Sequence, residues 1–350
     1  MVKDVQPTSA RRRQTLRFCL CADDFGLSEA VSRGILSALA AGRLTATSAI
    51  TTRPHWRTAA RQLSALGASA DIGLHLNLTL AAPLTPMPAF APDGCLPGIG
   101  KVLRAAQRRS LPRAEISQEI AAQLDAFAEA FGRFPDFVDG HQHVHVLPDV
   151  RQVLFEVLEG KGLAGRLWLR DSGDRPWRIL ARKREIKKAL GIAWLARRFA
   201  AEARAHGFAV NEGFSGFSDF SETRDCGADF ARYLIAPGAA HLIMCHPGHV
   251  DDELSRLDPV THSREKELAF LLSSRFNDRL ARHGAELGRL EPIPITWNRS
   301  LSTSGISDVP KCDPRDGTNR LYIKELEHVP EKSINFSGTC SDAIFRYMIN

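Results

Sequence analysis

Short apolar runs alternate along the chain with longer stretches whose apolar residues recur every three or four positions. The runs predict strands over residues 16–22, 45–51, 71–76, 136–140, 166–170 and 240–245. The periodic stretches predict helices over residues 28–41, 55–66, 113–131, 150–161, 177–206, 228–235 and 262–283. Ser28 stands just before an apolar-periodic run and fits a helix N-cap. Strand and helix signals in alternation predict a parallel α/β architecture, with residues 81–100, rich in Pro and Gly, as a long surface loop. There is no internal repeat.

Length and composition narrow the class. The chain has 350 residues, which suits one large α/β barrel or two small domains. Hydrophobic residues at 44% and charged residues at 25% are ordinary for a globular protein. No apolar run is long enough to span a bilayer, and the N-terminus lacks the apolar core of a secretory signal. Seven cysteines, at no zinc-ribbon spacing, read as reduced thiols of a cytoplasmic protein.

The net charge of +6 is concentrated between Arg178 and Arg198, where Ile179, Leu180, Ile186, Leu190, Trp194 and Leu195 recur at helical spacing. This reads as an amphipathic helix with a solvated basic face; peripheral contact with an anionic membrane is the alternative, and no nucleic-acid motif accompanies the charge. Segments 1–15 and 300–350 stand apart. The first is a short basic extension; the second has a single Ala and as many Lys as Arg, and reads as an atypical, poorly ordered tail without a functional role.

Four polar clusters directly follow the apolar runs. They are Asp23-Asp24 after 16–22, His75 within Gly73-Leu74-His75-Leu76-Asn77, the run Asp139-Gly140-His141-Gln142-His143-Val144-His145, and His246-Pro247-Gly248 after 242–244. In a barrel of parallel strands such positions converge on one face, where active sites are built. Asp and His delivered from separate segments form a metal-site pattern. Two adjacent buried carboxylates need a compensating cation or proton, and a divalent ion held by one of them and by imidazoles supplies it. If 141–145 were extended, His141, His143 and His145 would line one wall.

At these residues the chain resembles the YdjC-like carbohydrate deacetylases, a family that includes chitooligosaccharide deacetylase and hopanoid-associated members. The matching text is Ala22-Asp23-Asp24-Phe25-Gly26-Leu27-Ser28, Gly73-Leu74-His75-Leu76-Asn77-Leu78-Thr79, Val138-Asp139-Gly140-His141-Gln142-His143-Val144-His145 and Met244-Cys245-His246-Pro247-Gly248. The resemblance runs from about Leu16 to Leu290, and the text beyond Arg299 departs from it. It implies a distorted (β/α) barrel over residues 16–299, related to the NodB-type polysaccharide deacetylases. It further implies one divalent ion held by Asp24, His75 and His141, with Asp23 as base and His246 as acid. Arg170, at another expected strand end, is a candidate to orient Asp23.

His143 and His145 are candidates to support the ligands. Phe214, Phe217 and Trp168 are candidates to stack on a sugar. Mg²⁺ is the family's usual ion; Zn²⁺, Mn²⁺, Co²⁺ and Fe²⁺ suit the mixed nitrogen and oxygen donors. The expected reaction is hydrolysis of the N-acetyl group of an amino sugar, such as a chitooligosaccharide or an N-acetylglucosaminyl glycolipid. The alternatives are another metal-dependent hydrolase (an amidohydrolase or phosphoesterase) and a non-catalytic sugar-binding barrel. A homodimer is compatible with the sequence.

Overall fold

The structure is a computed structural model, and it describes residues 15–290 apart from residue 68. The expectations for residues 1–14, and for the tail with its boundary near 299, lie outside the described residues.

Among the described residues nine strands form one sheet whose strand-to-strand ladders are all parallel. They are β1 (Leu16–Phe25), β2 (Ala46–Ala49), β3 (Asp71–Leu76), β4 (Phe137–Gly140), β5 (Trp168–Leu169), β6 (Ala209–Val210), β7 (Phe214–Ser215), β8 (His241–Cys245) and β9 (Ala285–Leu287). The order β6-β5-β4-β3-β2-β1-β8-β7 runs along a curled half-barrel in which, among the described residues, no ladder joins β6 to β7; β9 pairs with the start of β1. This is the expected distorted (β/α) barrel. At the open seam the Asn211 side-chain amide donates to the carbonyls of Asp171 and Gly213, linking the two edges.

β1 is the central strand. From Phe18 onward it is buried throughout, as its near-continuous apolar text requires of a parallel strand flanked on both sides. Helices cover the outside. Helix Glu29–Ala40 begins where the Ser28 hydroxyl accepts the Val31 amide at 3.2 Å. Helix Arg113–Phe131 ends at Gly132 in the left-handed conformation. Gly73 carries no side chain because a Cβ there would overlap the Phe137 ring, which stacks on Trp168 at 4.1 Å between centroids.

Three expectations about elements are corrected. The single helix over 177–206 is three: Pro176–Arg182, Ile186–Ala196 and Phe199–Ala205. Continuing the helix past the buried Ile179 would bring Lys183, four residues on, to the same core-facing side. Instead the chain breaks at Lys183 and Glu185, both at positive φ, and Arg182 turns inward to Asp174 and to the carbonyls of Phe214, Ile235 and Ala236. Helix 262–283 divides at Ser273, whose hydroxyl bonds the Phe270 carbonyl and competes with the helical ladder. The loop after Ala81 ends at Gly98, where helix Ile99–Gln107 begins.

The basic stretch also has a structural explanation in part. Arg178 and Arg182 pair with Asp174, and Arg184 pairs with Asp219 and Asp229. Trp177, Leu180 and Trp194 face solvent. Among the described residues no helix is long and apolar enough to cross a membrane.

Candidate active site

Every polar cluster singled out above sits at or just beyond the C-terminal end of a strand, and the parallel ladders bring these ends to one mouth. At β1 the pairing with β2 shifts register between Ala22 and Phe25, and Asp24 takes φ 71°, a left-handed conformation unusual for a non-glycine residue. This bulge turns both neighbouring carboxylates into the same cluster, where a regular strand would point them apart.

Asp24 Oδ1 lies 3.3 Å from His75 Nε2 and 3.0 Å from His141 Nδ1. One donor atom from each of the three residues falls within 4.8 Å of the others, and all three residues are buried. The other nitrogen of His75 is occupied: Nδ1 is 2.7 Å from Asp139 Oδ1 and 3.0 Å from the Ser48 hydroxyl. A carboxylate on Nδ1 fixes the ring and leaves Nε2 facing Asp24, the usual support of a metal-ligating histidine.

Asp23 is held differently. Arg170 Nη1 donates to its Oδ2 at 2.7 Å and Nη2 to its Oδ1 at 2.6 Å, a bidentate pair in which the guanidinium is wholly buried. Nη2 also reaches Asp139 Oδ2 at 2.5 Å and Cys21 Sγ at 3.0 Å. His145 Nε2 meets the Arg170 carbonyl at 2.8 Å and anchors its backbone.

The electrostatics follow from these partners. Burial opposes ionisation of Asp23 and Asp24, yet Arg170 outweighs it at Asp23, and Arg264 with His141 outweighs it at Asp24; both carboxyls are lowered. Burial would lower His75, but Asp139, Asp24 and Asp23 overcome it and raise the ring to about 10. Three carboxylates (Asp23, Asp24, Asp139) face two guanidiniums (Arg170, Arg264), leaving one negative charge that a proton on His75 balances. A divalent cation on the same donors would take that proton's place and leave these groups one unit positive, so it is the donor set of one carboxylate and two imidazoles that fits a metal ion.

His246 follows β8. Its amide donates to Glu267 Oε2 at 2.7 Å, and its half-buried ring meets the edge of Phe220 at 5.2 Å. Withdrawal from water lowers its pKa, while Asp24 and Asp23 pull the other way. The loop that carries it packs on helix Glu29–Ala40 at Gly34, where a Cβ would come within 2.6 Å of the Gly248 Cα.

The histidine run is corrected. Residues His141–Val146 form a 3₁₀ turn with Gln142 and His143 at φ 52° and 59°, so the three rings diverge. His141 enters the Asp24 cluster, His143 packs against Phe214 and Phe217, and His145 bonds Arg170. The stacking expectation also changes. Trp168, Phe214 and Phe217 are all buried, with Trp168 face to face with Phe137, so none offers a ring face at the mouth. Among the phenylalanines of 214–220, Phe220 alone is partly exposed, beside His246.

Sequence reasoning missed Ser48, Arg264 and Glu267 and gave Asp139 no role. Asp139 lay inside a quoted motif, where a carboxylate two residues before a candidate ligand was a usable signal. Arg264 and Glu267 lie on a helix whose charges look like any solvated face.

The comparisons with known proteins agree with this geometry. The sequence profile of the YdjC-like protein family matches residues 17–282. The chain belongs to the YdjC-like family. A chitooligosaccharide deacetylase of Klebsiella pneumoniae is 31% identical over 276 residues, covering 78% of this chain and 97% of that one. A chitooligosaccharide deacetylase of Salmonella paratyphi B is 32% identical over 275 residues, covering 76% and 95%. Among solved structures, a protein of Enterococcus faecalis V583 described as a cellobiose-phosphate cleavage protein superposes with a TM-score of 0.59 at 23% identity, covering 79% of this chain and 98% of that one. That likeness supports the fold.

Proposed function

We propose that this YdjC-like chain is a metal-dependent carbohydrate deacetylase that hydrolyses the N-acetyl group of an amino sugar. The observation that carries the reading is the convergence of Asp24 Oδ1, His75 Nε2 and His141 Nδ1 beside a second carboxylate, Asp23, that is fixed by its own arginine. The name shared by the bacterial relatives supports the substrate class.

Asp24, His75 and His141 would hold the ion, which when bound supplies Lewis acidity toward the acetyl carbonyl and the attacking water. Asp139 and Ser48 keep the His75 ring in place. Asp23 accepts the proton of the attacking water; Arg170 costs it basicity and gives it a fixed orientation. His246, as imidazolium, donates its proton to the sugar nitrogen as the C–N bond breaks, releasing acetate and a free amine. Glu267 holds the backbone of His246 at that position. Mixed donors suit Zn²⁺, Mn²⁺, Co²⁺ or Fe²⁺, and the family resemblance favours Mg²⁺.

The test is acetate release from a panel of N-acetylated chitooligosaccharides and N-acetylglucosaminyl glycolipids, by chelated protein and by protein reloaded with each ion. Release that needs an ion and leaves a stoichiometric free amine supports the reading. Hydrolysis of phosphoesters or cyclic amides without acetate release would move the chain to another metallohydrolase class. Sugar binding unaffected by chelation, with no turnover, would make it a binding barrel.

A further inference from the structure

Each carboxylate of the adjacent pair has a guanidinium of its own. Asp23 has Arg170. Asp24 has Arg264, 240 residues further along the chain on helix His262–Leu272. Arg264 is 1% exposed. Its Nη2 donates to Asp24 Oδ2 at 2.8 Å and to Asp258 Oδ2 at 3.0 Å, and its Nε donates to the Val260 carbonyl at 2.8 Å. Its buried Nη1 has no hydrogen-bond partner. Asp258 and Val260 therefore lock the guanidinium from its own end of the helix. The Asp24 carboxylate is divided between two tasks: Oδ1 faces the two imidazoles and Oδ2 is capped by the arginine.

We propose that Arg264 is a built-in counter-ion that keeps the metal-binding face assembled when no ion is bound and, by the same charge, loosens the ion's hold. The inference rests on the metal-centre reading above. Without Arg264 and without an ion, Asp24 is a buried carboxylate lacking a full counter-charge, on a backbone already at positive φ. With an ion on Oδ1, a guanidinium on Oδ2 repels it through the shared carboxylate. One positive charge thus stabilises the empty site and weakens the filled one, and the coupling between guanidinium and ion is reciprocal. The centre would be a preformed, readily exchanging site for a divalent ion, with no dependence on the ion for its assembly.

The experiment uses the full chain and Co²⁺ or Zn²⁺ as probe. Affinity is read by chelator competition, and melting temperature is read with and without the ion. Arg264→Met should melt lower in chelator, bind Co²⁺ at least about tenfold more tightly, and gain more from the ion than wild type does. Arg264→Lys keeps the charge and should keep wild-type affinity. Asp258→Asn leaves more of the guanidinium's charge facing Asp24, so it should bind Co²⁺ severalfold more weakly while folding normally.

Unchanged or weaker binding by folded Arg264→Met overturns the proposal, as does a loss of stability equal in the two states. If that variant does not fold, Asp258→Asn decides, and unchanged or tighter binding there overturns it. Failure of wild type to bind either ion removes the metal-centre reading and this inference together. Wild-type binding without the Arg264 effect removes this inference alone.

Discussion

Asp23 and Asp24 are neighbours of one residue type whose surroundings assign them different chemistry. Asp23 has both oxygens on Arg170, whereas Asp24 shares its oxygens between imidazoles and Arg264. Asp23→Asn keeps the shape and removes the proton acceptor. We expect it to retain Co²⁺ while acetate release falls about 10²–10⁴-fold. Asp24→Asn removes the anionic donor and should weaken Co²⁺ binding by more than about 100-fold. Equilibrium dialysis and acetate release on both variants separate the roles; swapped phenotypes would mean that base and ligand have been exchanged. The residues of this pair were legible because both chemistry and position mark them: Asp or His, directly after an apolar run. Arg264 was not legible, since its role depends on a contact across 240 residues that no local pattern reports.

At the scale of elements, strands with an apolar run of their own were readable and left-handed pieces were not. β1, β3 and β8 carry enough apolar text to stand out, and the strand expected over 166–170 is present as the two residues of β5, while β6 and β7, two residues each, were not expected and are defined by the ladder they join. The histidine run failed for a physical reason. Gln142 and His143 adopt positive φ without a glycine to announce it, so an alternation that looked extended is a tight turn. Glycine does mark a constraint at Gly73, on the strand that carries His75. A methyl group there would overlap the Phe137 ring and disturb its stack on Trp168. Gly73→Ala should therefore cost about 1–3 kcal/mol in urea unfolding and weaken Co²⁺ binding, because the strand must shift to make room. Wild-type stability would show that the ring moves aside freely.

For the molecule as a whole, the acid limit of stability is set partly by histidines remote from the candidate chemistry. His241, on β8, is completely buried. Its Nε2 lies 3.2 Å from the Tyr233 carbonyl and 3.0 Å from the Ser215 hydroxyl, and its Nδ1 accepts the Gly238 amide at 3.3 Å. A proton on Nδ1 would face another N–H, so this environment suits only the neutral ring. Burial first, then the charge of Arg182, lowers its pKa to about 3; Arg178 adds to the effect. In the unfolded chain the same ring titrates near about 6.5. Above that pH neither state binds the proton and His241 makes no pH-dependent contribution. Between about 6.5 and 3 the unfolded chain binds a proton that the native one refuses, so native stability falls as pH falls, by roughly tenfold in the folding equilibrium per pH unit. Asp23 and Asp24, whose carboxyls are lowered from 3.8, add their loss chiefly below that value, so between about pH 6.5 and 4 they contribute little to the slope. Urea unfolding at a series of pH values between 7 and 4 should show this slope. His241→Asn, whose amide oxygen can accept the Gly238 amide, should be less stable at pH 7 and should lose about one proton's worth of the slope. An unchanged slope in that variant would place the acid sensitivity elsewhere in the barrel.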